Sequence, residues 1–154
     1  MKPLVTGIFT APTKGAPMVE SARIMAVIGL GLFMDRYATG QGTYSKSGKN
    51  PRQITLIHSD CLAEGNKLVR EPYTAAETRR NLLVEGNVDL LQLIGKDFFV
   101  GPVRMRGVEE CLPCKIPSRM YRKDDFVKAF AGKGGIRAEV LSTGFVSLRD
   151  ELHW

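Results

Sequence analysis

Short apolar runs, many of them alternating with polar residues, recur along the chain between clusters of turn-forming residues. Such runs are typical of β-strands with one buried face. Eight strands are predicted on this basis: Val5–Thr10, Arg23–Ile28, Gln53–Ile57, Leu82–Glu85, Asp97–Val100, Val103–Val108, Ile136–Leu141 and Phe145–Leu148. Gly101-Pro102 and Ser142-Thr143-Gly144 connect neighbouring strands and predict hairpin turns. The pattern therefore predicts a mainly β fold with minor α content, either a barrel or a sandwich.

Helical signals are confined to short stretches. Three helices are predicted: Ser59 to Val69, a short one that starts at Thr74, and Asp124 to Phe130 with Gly132 past its end. Ser59 is expected to cap the first helix, whose inward face includes Cys61, Leu62, Gly65, Leu68 and Val69. Thr74-Ala75-Ala76-Glu77 matches a capping box. Cys61 is therefore expected in the core.

Domain organisation follows from length and from the absence of repeats. A chain of 154 residues fits one domain, predicted over 1–154, and is large enough to fold without disulfides. The segment Thr39–Pro51 is rich in Gly, Ser and Lys, and it predicts a long loop of the kind that often serves as a binding loop or lid.

Charge and cysteine content narrow the possible compartments and partners. The formal charge of +6 favours anionic partners such as phosphorylated cofactors, nucleic acid or acidic proteins. Basic residues are spread along the chain without interleaved aromatics, which makes nucleic acid a weaker expectation. Three cysteines without a signal peptide or a membrane-length apolar run predict a protein of the reducing cytoplasm.

Cys111-Leu112-Pro113-Cys114 is the sharpest chemical feature, because thiolates are soft metal ligands and strong nucleophiles. Several interpretations compete. A zinc site would need Cys61, His58 or His153 as further ligands, and Cys61 is predicted to face the core. A redox dithiol would open a helix, whereas this pair follows a β-like run. Two buried apolar cysteines remain an alternative, and the pattern leaves a Cys111–Cys114 disulfide open.

Cys114 is the better candidate for a reactive thiol. The cations that follow it closely are Lys115, Arg119 and Arg122. They would stabilise its thiolate if they face it, although Glu109 and Glu110 partly offset that effect. Pro113 restricts the backbone before it.

Arginines supply candidate ligand contacts elsewhere. Arg79-Arg80-Asn81 precedes a predicted strand, and arginine offers a fork for phosphate or carboxylate while asparagine can pair with a heterocycle edge. One of the two arginines is expected to form a surface ion pair. Asp35-Arg36 and Arg52-Gln53 flank the long loop and predict either a salt bridge at its base or polar groups brought to a pocket.

In order along the chain, these segments resemble the MOSC family, the domain named for the C-terminal part of molybdenum cofactor sulfurase and also found in the mitochondrial amidoxime-reducing component. The resembling segments are Gly29 to Arg36, Arg52 to Ile57, Arg79 to Gly86, Leu90 to Val103, Cys111 to Cys114 and Gly134 to Leu141. Two positions depart from the family pattern. Met34 stands in place of the glycine of a Gly-Asp-Arg element, and Ser147-Leu148-Arg149-Asp150 replaces a common Val-Gly-Asp ending.

The resemblance implies a MOSC-like β-barrel with a few peripheral short helices, and it places the hallmark cysteine at Cys114. In relatives that thiolate ligates molybdenum or is proposed to carry sulfur, and by the same resemblance Arg79 and Asn81 match residues that contact the pterin. Arg36 and Arg52 are further candidates to hold the anionic cofactor. Pyridoxal phosphate, bound by another domain in larger members, would require a separate partner.

Two functional hypotheses follow from this resemblance. In the first, the chain binds molybdenum cofactor through Cys114 and reduces N-hydroxylated substrates with electrons from another protein, as a molybdenum-dependent oxidoreductase. In the second, it is a sulfur transferase or a non-catalytic carrier that receives sulfur or cofactor from a donor and delivers it to a partner enzyme. Both rest on family likeness.

Overall fold

The computed structural model describes residues 1–42 and 52–154. The strands are β1 Leu4–Thr10, β2 Val19–Glu20, β3 Arg23–Val27, β4 Gly31–Leu32, β5 Ile54–His58, β6 Leu82–Glu85, β7 Asp97–Val100, β8 Val103–Glu110, β9 Ile136–Val140, β10 Gly144–Ser147 and β11 Leu152–His153. The α-helices are α1 Ser59–Asn66, α2 Ile116–Tyr121 and α3 Phe126–Ala129, and short 3₁₀ helices span Ala76–Thr78 and Leu90–Leu93. The protein is mainly β, as predicted.

Two sheets build the fold. The larger has eight strands in the order β11-β7-β8-β9-β5-β6-β1-β2, and the smaller has the order β10-β3-β4. Neighbouring strands are antiparallel except β5 and β6, which run parallel with Leu56 opposite Leu82. The large sheet curls, because Val5 of β1 exchanges backbone hydrogen bonds with Arg149 and Asp150 just before β11. This half-barrel with a few short helices confirms the predicted fold class.

Apolar side chains fill the inside of the curled sheet. Members of the main cluster come from most strands and include Val5, Leu56, Leu82, Phe98, Met105 and Ile136, all fully buried. A second, smaller cluster of Ile57, Tyr73, Phe126, Ala129 and Phe130 lies between the helices and β5. Burying these side chains contributes about 1.5–3 kcal/mol each, so the sheet is a rigid support for the loops at its ends.

The eight predicted strands are all present, with ends that differ by at most two residues. The hairpin at Gly101-Pro102 is confirmed, since Val100 pairs with Val103. The hairpin at Ser142-Thr143-Gly144 is wrong: β10 pairs with β3 in the smaller sheet, with Phe145 opposite Met25. Turn residues signal a change of direction, but they do not decide which strand the chain joins next.

The helix predictions need several corrections. Helix α1 ends at Asn66, three residues early, and its cap is His58 instead of Ser59, because His58 Nδ1 accepts a hydrogen bond from the Asp60 amide at 3.0 Å. Leu68, predicted to face inward, is 63% exposed. Cys61 is half-buried against the second cluster rather than fully in the core. Helix α2 was not predicted.

The other two helix predictions fare better. Thr74 and Glu77 form the predicted capping box, with reciprocal hydrogen bonds of 2.9 and 3.2 Å. Asp125 caps α3 by accepting a hydrogen bond from the Lys128 amide at 3.3 Å. Most of the predicted loop 39–51 lies outside the described residues. In the part of the chain that the structure describes, no helix is long and apolar enough to span a membrane.

Candidate functional site

The cysteine loop joins the end of β8 to the start of α2. Cys111 directly follows β8 and is buried, whereas Cys114 lies two residues before α2 and is half-buried. Leu112 between them is 67% exposed. All three cysteines of the chain are free thiols. Cys111 therefore anchors the loop in the protein, and Cys114 is the thiol that solvent and ligands can reach.

Two glycines before β9 hold the cysteine loop against the sheet. The Cys111 amide donates a hydrogen bond to the Gly135 carbonyl at 2.8 Å. A Cβ atom on Gly134 would overlap the Cys111 carbonyl oxygen, and one on Gly135 would overlap the Leu56 carbonyl oxygen. Gly135 also has a φ of 82°, in the left-handed region. Glycine is required here because only glycine permits this close approach of backbones.

A narrow cleft opens beside Cys114, with a cavity volume of about 30 Å³. Four arginines line it together with the thiol: Arg36, Arg79, Arg80 and Arg137. Each is at most 8% exposed, so all four guanidinium groups are buried at the cleft wall. Tyr37 also lines the cleft, and its ring lies 4.5 Å from the Arg36 guanidinium carbon and 5.9 Å from that of Arg137.

Arg36 is fixed by a buried carboxylate. Its Nη1 lies 3.2 Å from Oδ1 of Asp35, which is fully buried and also accepts a hydrogen bond from the Ala11 amide at 3.0 Å. Asp35 and Arg36 thus form an ion pair with each other at this end of the long loop, and a bridge across the base of the loop stays a prediction. Arg36 Nη2 in turn donates to the Arg79 carbonyl at 3.0 Å, so it ties the two arginine segments together.

Arg79 has a left-handed backbone conformation, with φ of 63°. Its guanidinium donates to the carbonyl oxygens of Ala16 at 2.6 Å and Lys14 at 3.0 Å. Burial, with the nearby Arg36 charge in addition, lowers the pKa of Arg79. Within residues 1–42 and 52–154, no carboxylate pairs with Arg79. Because burial and the neighbouring charge destabilise the charged form of this guanidinium, an anion bound in the cleft would stabilise it.

The expected surface ion pair at Arg79-Arg80 is wrong. Both side chains are buried, at 5% and 6% exposure, and neither forms an ion pair with a described residue. The Arg80 guanidinium donates instead to the carbonyls of Gly134 at 2.7 Å, Thr78 at 3.2 Å and Cys111 at 3.3 Å. Both arginines lie just before the start of β6, at the end of the sheet, and their side chains point into the protein. The local sequence does not indicate this inward orientation.

Arg52 lies on the other side of the cysteine loop. A second cleft there shares Leu112, Cys114 and Arg137 with the first and is otherwise lined by Arg52, Glu109, Glu110 and Pro113. Glu109 lies 3.7 Å from Arg52 and 3.6 Å from Arg137. The thiol of Cys114 therefore stands between a strongly cationic cleft and a cleft of mixed charge.

Asn81 does not line either cleft beside Cys114. Its side chain is fully buried, where Nδ2 donates to the Phe9 carbonyl at 3.0 Å and Oδ1 accepts from the Thr55 amide and hydroxyl at 3.0 and 3.1 Å. These bonds join β1, β5 and the start of β6. The structure thus places Cys114, Arg36 and Arg79 at one cleft and Arg52 at the neighbouring cleft that shares Cys114. Asn81 lies behind them, and its contact with a pterin stays a prediction.

The residues considered for a zinc site lie apart from the thiol cleft. His58 is buried, its Nδ1 accepts from the Asp60 amide and its Nε2–H donates to the Gly86 carbonyl at 2.7 Å. Burial and the nearby Asp60 carboxylate raise the pKa of the Cys61 thiol. In the described part of the chain, no three His, Cys, Asp or Glu side chains lie together as metal ligands.

Arg80, Arg137 and Tyr37 were not predicted as site residues. Arg80 stands next to Arg79 in the motif, so its position alone could have marked it. Arg137 and Tyr37 carry no such signal. Arg137 lies on β9 and Tyr37 follows β4, and these segments come to the cleft only because the sheet is curled. Together these features describe a mainly β protein that presents one accessible thiol at a cleft lined by buried arginines.

The family model of the MOSC domain matches residues 43–153, and the chain belongs to this family. Several solved structures share the fold, among them the following three. The YuaD protein from Bacillus subtilis is 22% identical with a TM-score of 0.82, and the match covers 99% of this chain and 94% of that one. YiiM from Geobacillus stearothermophilus is 16% identical, with a TM-score of 0.70 and coverage of 97% and 73%. YiiM from Escherichia coli is 19% identical, with a TM-score of 0.69 and coverage of 100% and 70%. No curated protein matches the chain.

Proposed function

We propose that the chain binds the molybdenum cofactor in the arginine-lined cleft, with Cys114 as the ligand of the metal or as a persulfide carrier. Membership of the MOSC family supports the cofactor, because this domain is associated with it in general. The observation that carries the proposal is the half-buried Cys114 thiol in one cleft with four buried guanidinium groups. Of the three cysteines, Cys114 alone lines that cleft.

The donor set fits such a ligand. Thiolate is a soft ligand suited to a transition metal, and guanidinium groups hold phosphate and oxo anions by charge and by paired hydrogen bonds. Asp35 pairs with Arg36 and Glu109 lies 3.6 Å from Arg137, whereas no carboxylate of the described residues pairs with Arg79 or Arg80. An anionic cofactor would compensate the buried positive charge of Arg79 and Arg80.

Each side chain has a separate task in this proposal. Arg36 and Arg79 hold the anionic part of the ligand, and Arg52 closes the neighbouring cleft with Glu109. Cys114 supplies the sulfur, and Leu112 lines both clefts beside it. When bound, the cofactor would supply two-electron reduction of an N-hydroxylated base or amidoxime, with electrons from a separate donor protein.

A sulfur carrier is the second candidate function, and the exposure of Cys114 favours it. A half-buried free thiol can meet a persulfide on a donor protein. The Cys114 thiolate attacks the outer sulfur, a new S–S bond forms on Cys114, and the donor cysteine leaves as its thiolate. The same step in reverse order delivers the sulfur to an acceptor. Pyridoxal phosphate would belong to the donor in this case.

Metal and pterin analysis tests the proposal. The protein is purified from a host that makes the cofactor, and molybdenum and pterin are measured per chain for wild type, Cys114→Ser and Cys61→Ser. Cys61 lies outside the cleft, so its variant is the matched control. We expect near-stoichiometric molybdenum in wild type and Cys61→Ser and loss of at least about tenfold in Cys114→Ser, as removal of a metal ligand predicts.

Other results would decide against this assignment. Persulfide on Cys114 without molybdenum, detected by mass spectrometry after mild purification, would favour the carrier. Wild-type protein with neither molybdenum, pterin nor persulfide would refute both candidates. Equal metal in wild type and Cys114→Ser would show that the thiol is not the ligand.

A further inference from the structure

Arg80 has an unusual set of partners for a buried arginine. It is 6% exposed, and its Nε, Nη1 and Nη2 donate to the backbone carbonyls of Gly134, Thr78 and Cys111. These three carbonyls belong to three separate segments of the chain. Because the guanidinium is planar and rigid, its bonds fix the three segments relative to one another.

The bond to Cys111 bears directly on the thiol. Cys111 is held on both sides, since its amide donates to Gly135 at 2.8 Å and its carbonyl accepts from Arg80 at 3.3 Å. Cys114 is three residues further on, and Pro113 limits the conformations between them. A shift of the Cys111 carbonyl therefore moves the Cys114 sulfur relative to Arg36 and Arg79.

The residue type at position 80 suits these three hydrogen bonds. A buried cation is costly unless it is compensated, and no described carboxylate pairs with Arg80. Lysine would keep the charge but offers a single nitrogen at the end of a flexible chain, which cannot reach three carbonyls in one plane. The ring of Phe126, 5.9 Å from the guanidinium carbon, adds a wall that restricts the group.

We propose that Arg80 is a positioning residue that sets the place of the Cys114 thiol within the arginine-lined cleft, through its hydrogen bonds to Cys111 and Gly134. The inference deepens the proposed function, since the same thiol is the proposed metal ligand or sulfur carrier. It concerns this chain's own residues, and it can be tested on protein without any cofactor.

Two thiol reagents of similar size and different charge provide the test. Iodoacetate is an anion and iodoacetamide is neutral, and both react with the thiolate, so their rate ratio reports the positive charge around the sulfur and cancels the thiolate fraction. The ratio is measured for Cys114 by peptide mass spectrometry in wild type, Arg80→Lys, Arg80→Gln and Arg119→Gln. Arg119 is an exposed cation close to Cys114 in sequence and is the matched control.

We expect the ratio to fall about three- to tenfold in both Arg80 variants, as displacement of a thiolate from nearby charges predicts. Arg119→Gln should retain the wild-type ratio within about twofold, because an exposed charge is screened. A wild-type ratio in Arg80→Lys with a low ratio in Arg80→Gln would mean that charge alone matters, and would overturn the positioning role. Unchanged ratios in both Arg80 variants would overturn the positioning role as well.

A second variant tests the proposal without replacing the Arg80 side chain. Gly134→Ala keeps the arginine at position 80 but puts a methyl group against the Cys111 carbonyl oxygen and 3.1 Å from Arg80 Nη2, so it disturbs their contact and should lower the same ratio. Cys61 lies outside the arginine-lined cleft, and its alkylation rate reports whether each variant is folded. A normal Cys61 rate with an unchanged Cys114 ratio in Gly134→Ala would contradict the proposal, whatever the molybdenum content of the wild type.

Discussion

Met34 and Arg149 have left-handed backbone conformations, with φ of 63° and 74°. By the resemblance of the sequence to the MOSC family, both lie in segments that depart from the family pattern, and Met34 stands in place of a glycine. Glycine adopts this conformation at no steric cost, whereas an L-residue is strained by about 1–2 kcal/mol. Met34 therefore stands in a turn that glycine would form with less strain.

Met34→Gly is expected to stabilise the protein. Relief of the left-handed strain outweighs the extra flexibility that glycine gives the unfolded chain, and the net gain is about 0.5–1 kcal/mol. The side chain is 58% exposed, so little packing is lost. Urea unfolding at constant m-value measures the change.

Ala22→Gly is the matched control for this prediction. Ala22 is also exposed, but its φ is not in the left-handed region. The same mutation type should there reduce stability, by about 0.5–1 kcal/mol. If both variants were destabilised equally, strain at Met34 would be excluded as the explanation.

At the scale of elements, the strands were predictable because their signal is local. Period-two alternation and flanking turn residues marked β6 and β7 with correct ends. The two-residue strands β2, β4 and β11 are too short to show a sequence pattern of their own. They form because each pairs with a neighbouring strand. Helix α2 was missed although Pro117 stands at its start, a position that proline favours.

The short helix before the arginine pair is tied to the segment after the cysteine loop. Glu77 Oε1 accepts hydrogen bonds from the Thr74 amide at 2.9 Å and from Lys123 Nζ at 2.7 Å. Both charged side chains are at least 83% buried. This ion pair and capping box therefore link two of the segments that build the cleft.

Glu77→Gln should reduce stability by about 1–2 kcal/mol at pH 7, as loss of a charged hydrogen-bonding group predicts. Burial opposes ionisation of Glu77, but the bonds from Lys123 and Thr74 outweigh it and lower its pKa from 4.5. A lowered pKa stabilises the folded state above the unfolded value, and this stabilisation is lost as pH falls through the folded value. The difference between wild type and variant should therefore shrink below pH 4.5 in urea titrations.

Glu64→Gln provides the comparison for that pH dependence. Glu64 pairs with Lys67 at 2.7 Å, yet the two side chains are 55% and 67% exposed. Solvent screens such a pair, so the variant should differ little from wild type at any pH. A difference for Glu77→Gln that stayed constant from pH 7 to pH 3 would show that the charge of Glu77 does not stabilise the fold.

At the scale of the whole molecule, the cleft gathers residues far apart in the chain. Arg36, Arg79, Arg137 and Cys114 come from four segments and meet through the curled sheet. The sequence indicated Cys114 and Arg79 through motifs with local spacing. It gave no sign that Arg137 would face the thiol or that Asn81 would turn into the fold, since strand order and curl decide both.

The concentration of positive charge predicts that oxyanions stabilise the native protein. The four cleft arginines are at most 8% exposed, and their carboxylate partners in the described part of the chain include Asp35, which is buried, and Glu109, which is 48% exposed. An anion that binds only the folded state stabilises it by about 1.4 kcal/mol at ten times its dissociation constant, which raises the Tm by about 3–6 °C for this size. Inorganic phosphate at constant ionic strength, compared with chloride, is the probe.

Arg79→Gln separates binding in the cleft from a general salt effect, because phosphate also stabilises proteins by exclusion from their surface. The variant should lose most of the phosphate-dependent rise in Tm, since it removes a buried cation whose lowered pKa reflects burial and the nearby Arg36 charge. Arg70→Gln, which removes an arginine side chain that is 91% exposed and paired with Asp124, should keep the full rise. Equal rises in wild type and Arg79→Gln would assign the effect to the solvent, and the cleft would then not be an anion site.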